Sequence, residues 1–306
     1  MSQRIFPKAF LERRGHSLLG LWLVIYIIFH LLTNSQAALL WGEDGQGFIH
    51  DVNWIHNLPY LIVIECLGLG IPIILHGWWG VRYALQGRIN SIKSDGSTPS
   101  LEEYSRNRAY TWQRITSWIL LIGITAHVVH MRIVEYPSQV KVGSQEYYVN
   151  NLSYDAGLPL LADRLGVTLY RAGEPLPTDF HMPPNQDEAV LQQRTKEVER
   201  FTSLLNSNKL SPKNTIIIAK DFGAATLLMV RDTFKSPIMI ALYSVLVISA
   251  CFHAFNGLWT FCLSWGVIVT PRSQKKILRC CQGLMGFVAF LGLMAVWGSF
   301  WINLYS

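Results

Sequence analysis

Charge is what this sequence has least of. Only 15% of its 306 residues are Asp, Glu, Lys or Arg, where soluble domains carry about 25%. None of the five cysteines (Cys66, Cys251, Cys262, Cys280, Cys281) stands in a CxxC pair, so no thiolate cluster or redox pair can be read from them. All five fall in or beside apolar runs, as buried small hydrophobes do. No dinucleotide-binding glycine fingerprint is present. Low charge with 12% aromatic residues also excludes a disordered chain. What remains is half apolar, with a mean hydropathy of +0.24.

The apolar residues gather into runs long enough to cross a bilayer, which takes about 20 residues at about 1.5 Å each. Five spans are predicted: Ser17–Leu40, Leu58–Leu85, Ile115–Val134, Pro237–Val269 and Gly283–Leu304. The first is too long for a cleaved signal and reads as a retained anchor. The fourth exceeds a minimal span and is expected to tilt or project.

The charges alternate between the loops. Arg4, Lys8, Glu12, Arg13 and Arg14 precede span one. Arg82, Arg88, Lys93, Asp95, Glu102, Glu103, Arg106, Arg108 and Arg114 lie between spans two and three. Arg272, Lys275, Lys276 and Arg279 lie between spans four and five. Together these segments hold 14 basic and 4 acidic residues. The loop between spans one and two holds Glu43, Asp44 and Asp51 and no Lys or Arg, and the tail is uncharged. By the positive-inside rule the N-terminus is inside and the C-terminus outside. This accounts for the net charge of +6 without nucleic acid. A basic inner face also suits the anionic surface of a soluble partner.

The segment Arg132–Lys235 differs, with 12 basic and 12 acidic residues and the turn-rich run Arg171–Asn185. It is expected outside the membrane as a small cap or a partly disordered insertion over 135–236. Membrane helices one to three fill 1–134, and helices four and five fill 237–306. Within the insertion, Glu188–Leu205 suits a helix and Thr215–Ala219 a short strand.

Histidines carry the functional signal. His30 lies inside span one, His76 inside span two, His127 and His130 inside span three and His253 inside span four, and His16 sits at the inner mouth of span one; His50, His56 and His181 fall outside. An ionisable residue at membrane depth points to function, although any one histidine is as well explained by a structural hydrogen bond. Neutral imidazole ligates iron, and histidines on facing helices can hold b-type haem. Four on four helices suit two haems. His30 lies about 21 Å above His16, and His127 is at a similar height above Arg114, so these two would share an outer haem. His76 lies about 9 Å from the inner end, leaving His253 as its partner. Gly77 and Gly80, and Asn256 and Gly257, would leave room for a flat ring. His130 shares the face of His127; His127 is preferred for its depth. Glu65, near the outer end of span two, either snorkels or pairs structurally, or serves proton or quinone chemistry. Arg14, Arg82, Gln113 and Arg114 either anchor at the interface or reach haem propionates. The tryptophans suit membrane belts and packing.

Several motifs resemble the diheme cytochrome b membrane anchor of succinate:quinone oxidoreductases, in its single-polypeptide, five-helix form. They are Arg13-Arg14-Gly15-His16-Ser17-Leu18-Leu19-Gly20; Asn57-Leu58-Pro59 with His76-Gly77 and Tyr83; Tyr104-Ser105-Arg106-Asn107 leading to Gln113-Arg114-Ile115-Thr116 and His127; and Phe252-His253-Ala254-Phe255-Asn256-Gly257-Leu258-Trp259. Trp265-Gly266 and Val269-Thr270-Pro271-Arg272-Ser273-Gln274 follow. The resemblance implies an all-α, five-helix membrane bundle in the cell's cytoplasmic membrane holding two haem b. The proximal haem would sit between His76 and His253, the distal one between His30 and His127, and His16 would be no ligand. It implies flavoprotein and iron–sulfur partner subunits on the inner face and a quinone, menaquinone, as electron acceptor. The chain itself would not oxidise succinate. The long Arg132–Lys235 segment departs from the family pattern. Two other readings stay open here. One is the diheme cytochrome b of another membrane oxidoreductase, such as a hydrogenase or formate dehydrogenase. The other is a haem-free proton-coupled transporter, disfavoured because no inverted repeat is apparent.

Overall fold

A computed structural model describes residues 7–38, 44–87, 91, 101, 103–171, 188–207 and 213–305. Arg4, Glu43, Arg88, Lys93, Asp95, Glu102, His181 and most of the run Arg171–Asn185 lie outside the described residues, as does the expected end of span one at Leu40. The described chain divides into two units. One comprises 1–32, 59–127 and 242–293; the other comprises 33–58, 128–241 and 294–306.

The first unit is helical. The chain has five helices long and apolar enough to cross a membrane: Lys8–Ala38, Leu61–Gln86, Ser105–Val134, Pro237–Ser264 and Pro271–Leu304. Three begin earlier than the apolar runs. Long basic side chains carry their charge to the interface while the backbone stays helical, so Lys8–His16, Ser105–Arg114 and the whole Arg272–Arg279 run extend the helices. Span four ends at Ser264, five residues short of the expected Val269. Gly266, at φ 70°, takes the left-handed conformation that stops a helix. Span five then starts at Pro271, where a missing amide costs nothing, and Thr270 caps it by accepting from Ser273 N at 3.2 Å. Three spans contain a π-helical turn: Cys66–Gly70, His130–Val134 and Met294–Gly298.

The second unit contains a four-stranded antiparallel sheet. Its strands are β1 (Ser138–Val142), β2 (Gln145–Ser153), β3 (Thr168–Tyr170) and β4 (Asn214–Ala219), in the order β1-β2-β4-β3. β1 and β2 form a hairpin closed by Gly143 at φ 66° and Ser144, a glycine placement that suits the strands' twist. Thr215–Ala219 are all buried, as in a strand covered on both faces. On one face Val142, Tyr147, Val149, Ile216 and Ile218 pack with Phe201 and Leu205 of the Glu188–Ser207 helix. On the other, Tyr148 meets Phe222, which opens the Phe222–Thr233 helix. Asp221 caps that helix by accepting from Ala224 N at 2.8 Å.

Among the described residues of 135–236, a helix stands at Glu188–Ser207 and a strand at Asn214–Ala219, with three further strands that periodicity had not marked. The loop between spans one and two also holds a helix, Gln46–His56. Its Asn53 bonds both Asp221 and the Gly223 amide, at 3.1 and 2.7 Å. From the C-terminal segment, Asn303 donates to the Arg231 carbonyl at 3.0 Å.

Candidate haem sites

The four intramembrane histidines meet as two pairs. His30 of span one and His127 of span three have ring centroids 5.9 Å apart, with planes at 78°. His76 of span two and His253 of span four lie 6.3 Å apart, at 80°. These are the pairings that depth suggests. Two imidazoles bound to one metal through nitrogen bonds of about 2 Å each have centroids about 6 Å apart. The spacing of both pairs fits an iron held between them.

The second feature is the state of Nδ1 on each ring. His76 Nδ1 faces the His16 carbonyl at 3.0 Å. His253 Nδ1 lies 3.4 Å from Thr116 Oγ1. His30 Nδ1 lies 3.3 Å from the Tyr26 hydroxyl, and His127 Nδ1 lies 3.2 Å from that of Tyr243. Engaging Nδ1 orients an imidazole and leaves Nε2 as the ligand. The donor set, the spacing and the oriented rings all fit two bis-histidine haems. Among the described residues no group of three or more His, Cys, Asp or Glu is placed to hold a metal ion; the arrangement is of pairs.

The helices come close because small residues face the rings. A Cβ on Gly20 would stand 3.0 Å from His76 Cε1. Gly77 is open, as expected for a residue leaving space beside the helix, whereas Gly80 is covered by the His16 ring. Asn256 does not simply leave room. Its amide donates to Gln113 Oε1 at 2.7 Å, while Gln113 Nε2 donates to the His253 carbonyl at 3.0 Å. Spans three and four are thus tied at His253 itself.

The other expected site residues are all engaged. Arg14 donates to the Ser264 carbonyl at 2.7 Å and lies over the Trp265 ring at 4.6 Å. Arg82 pairs with Glu12 at 3.2 Å. Arg114 donates to the carbonyls of Ala84 and Gly87 at 2.9 and 2.8 Å, at the carbonyl end of span two where a cation is favourable. Glu65 immediately precedes the π-helical turn Cys66–Gly70, a distortion frequent at functional sites. Span one reaches this turn through Trp22 Nε1, which donates to the Gly68 carbonyl at 2.7 Å. His130 has a different neighbour: its Nε2 stands 4.0 Å from Glu135.

Sequence reading did not single out Tyr26, Thr116 or Tyr243. Tyr26 precedes His30 by four residues, hence shares its face, and that spacing could have revealed it. Nothing local marks Tyr243, which comes from another helix.

No family model matches the chain, and no solved structure matches it. The succinate dehydrogenase cytochrome b558 subunit of Bacillus subtilis (strain 168) is 25% identical over 290 residues, covering 94% of this chain and 96% of that protein. The resemblance seen in the motifs is borne out by this similarity: the chain, with five helices long and apolar enough to cross a membrane among its described residues, is similar over most of its length to that cytochrome b subunit.

Proposed function

We propose that the chain anchors a succinate dehydrogenase in the cytoplasmic membrane and carries electrons from its iron–sulfur subunit to a membrane quinone, menaquinone. When bound, two b-type haems supply the one-electron chemistry for this transfer. The observation that carries the reading is the twofold recurrence of facing imidazoles about 6 Å apart, each oriented through Nδ1.

His76 and His253 hold the inner haem, nearer the flavoprotein and iron–sulfur subunits. His30 and His127 hold the outer one. The Tyr26 and Tyr243 hydroxyls and the His16 carbonyl fix ring orientation, and the Gln113–Asn256 contact keeps span four against span three. Arg14, Arg82, Gln113 and Arg114 belong to the ends of spans one, two and three expected inside, where their polar groups suit propionates. Glu65, beside the π-helical turn, is the residue for quinone binding and proton exchange. The N-terminus lies inside and the C-terminus outside. One observation supports a common side for the segments expected outside: the loop between spans one and two, the insertion 135–236 and the tail after span five all fall in the unit 33–58, 128–241 and 294–306. The subunit does no succinate chemistry of its own.

A reduced-minus-oxidised spectrum of the purified protein, with haem quantified per chain, tests the reading. The native protein should contain two b-type haems, and Ala at His30, His76, His127 or His253 should leave one at most. A native protein without haem b, or any of the four variants still holding two, would sink the assignment concerned. His130→Ala should leave both.

A further inference from the structure

His76 and Tyr83 stand seven residues apart in the regular helix Ile71–Gln86 of span two. They therefore share a face, with Tyr83 two turns, about 10 Å, closer to the end expected inside. Gly80 lies between them on that face, and the His16 ring covers it. That ring stacks on His76 at 4.0 Å and meets Tyr83 edge-on at 5.4 Å. The Tyr83 hydroxyl is buried and has no hydrogen-bond partner among the described residues. A buried phenol usually finds a partner, and an unsatisfied buried donor is destabilising.

The other polar groups assigned to this end bond protein atoms. Arg14 donates to the Ser264 carbonyl, Arg82 to Glu12, Gln113 to the His253 carbonyl, and Arg114 to the carbonyls of Ala84 and Gly87. The Tyr83 hydroxyl is a donor without such a bond, on the face of His76. Charge decides which way a haem held at His76 is turned. Its propionates are carboxylates, which are expensive in hydrocarbon, whereas its methyl and vinyl rim is not. The propionates therefore point to the nearer surface, the inner one, and Tyr83 lies in that direction from His76. A quinone carbonyl would accept the same hydrogen bond but has no charge to hold it at this end.

We propose that the Tyr83 hydroxyl donates a hydrogen bond to a propionate of the inner haem. The inference rests on His76 and His253 holding that haem. The edge of the His16 ring steadies the phenol, and Gly80 leaves room for His16 to do so. A donor on the propionate offsets its negative charge and raises the inner haem's midpoint potential, which favours the arrival of electrons from the inner side.

The test is Tyr83→Phe in the full chain, purified with its accompanying subunits and carrying haem isotopically labelled at the propionate carboxyls. Haem quantification, redox titration and redox-difference infrared spectra are the readouts. The ring keeps its contact with His16 and no bond to protein is broken, so the variant should fold and hold two haems per chain. The inner potential should fall, the outer should stay, and a labelled propionate band should shift. Loss of the inner haem alone would report the same bond, since no protein contact has been removed. Loss of both haems would mark a structural role and overturn the proposal. So would two haems with the inner potential and the propionate bands unmoved; a raised KM for quinone in that case would assign the hydroxyl to quinone instead. A native protein without haem b would overturn the ligand assignment along with it, a result distinct from unmoved bands in a protein holding two haems.

Discussion

His76 donates from Nδ1 to the backbone carbonyl of His16 at 3.0 Å, and the two imidazoles stack 4.0 Å apart at an angle of 10°. The atom of His16 that orients His76 belongs to the main chain. Its own ring packs against His76 and, edge-on, against Tyr83. Replacing His16 by Ala keeps the carbonyl and should leave two haems per chain, with the inner haem's midpoint potential moved by the lost ring. Gly20→Val should do the opposite. Its branches would push into His76 from the 3.0 Å approach and reduce inner haem content while sparing the outer. Haem quantification with redox titration of both variants checks the pair; equal haem loss in both would contradict it.

The outer pair depends on two phenols. In Tyr26→Phe and Tyr243→Phe the rings keep their volume, and His30 and His127 lose the hydroxyl partner of Nδ1. Loss of such an outer partner typically costs about 10-fold or more in metal affinity. Outer haem should be depleted, or released at lower detergent stress, with the inner haem unchanged. Spectra after graded detergent extraction would show it.

Gln113 joins three groups. Gln113→Ala removes the bond to the His253 carbonyl and leaves the Asn256 amide without its acceptor, a loss of about 1–3 kcal/mol. The thermal loss of helical signal should come at lower temperature. Gln113→Glu keeps the acceptor for Asn256 and should retain part of the stability.

The sheet-containing unit should be acid-sensitive through Asp155. Its carboxylate takes Arg231 at 2.7 and 2.9 Å and Lys235 at 2.6 Å. Burial alone would raise its pKa; the hydrogen bonds and charges of Arg231 and Lys235 outweigh it and hold the carboxyl well below the usual range. A depressed folded-state pKa stabilises the fold above the ordinary carboxylate value of about 4, and that stabilisation is lost as pH falls from there. Asp155→Asn removes the carboxylate that the buried Arg231 guanidinium grips with two hydrogen bonds and should cost about 3–5 kcal/mol at neutral pH. Its stability should then vary less with pH below about 4 than that of the native protein. Proteolysis of the insertion across pH would measure both effects.

Gly223 allows the Gln46–His56 helix to approach the Phe222–Thr233 helix. A Cβ there would lie 2.5 Å from the Ile49 carbonyl oxygen, a backbone atom that cannot rotate away. Gly223→Ala should destabilise this unit by about 1–3 kcal/mol, read as earlier cleavage of the insertion at neutral pH.

The spans were legible because a bilayer imposes a length and an apolar composition on any helix that crosses it. The histidines were legible because ionisable groups are expensive there, and helical rise converts their spacing into depth. Helix ends were less so. Hydropathy stops at the last apolar residue, whereas the backbone of Pro271–Leu293 runs helical through four cations whose stems reach water. The insertion was legible at Glu188–Leu205 and Thr215–Ala219, where pattern is strong. β1, β2 and β3 draw their stability from pairing with distant strands, which leaves little local mark.

By itself the sequence determined the number of spans and that histidines stand at membrane depth on four of them, since both follow from the cost of transferring groups into hydrocarbon. Only the tertiary structure decided which atoms orient those histidines. The Tyr243 hydroxyl, the Thr116 hydroxyl and the His16 carbonyl reach His127, His253 and His76 from other helices, and such meetings depend on how helices pack, which no local pattern records.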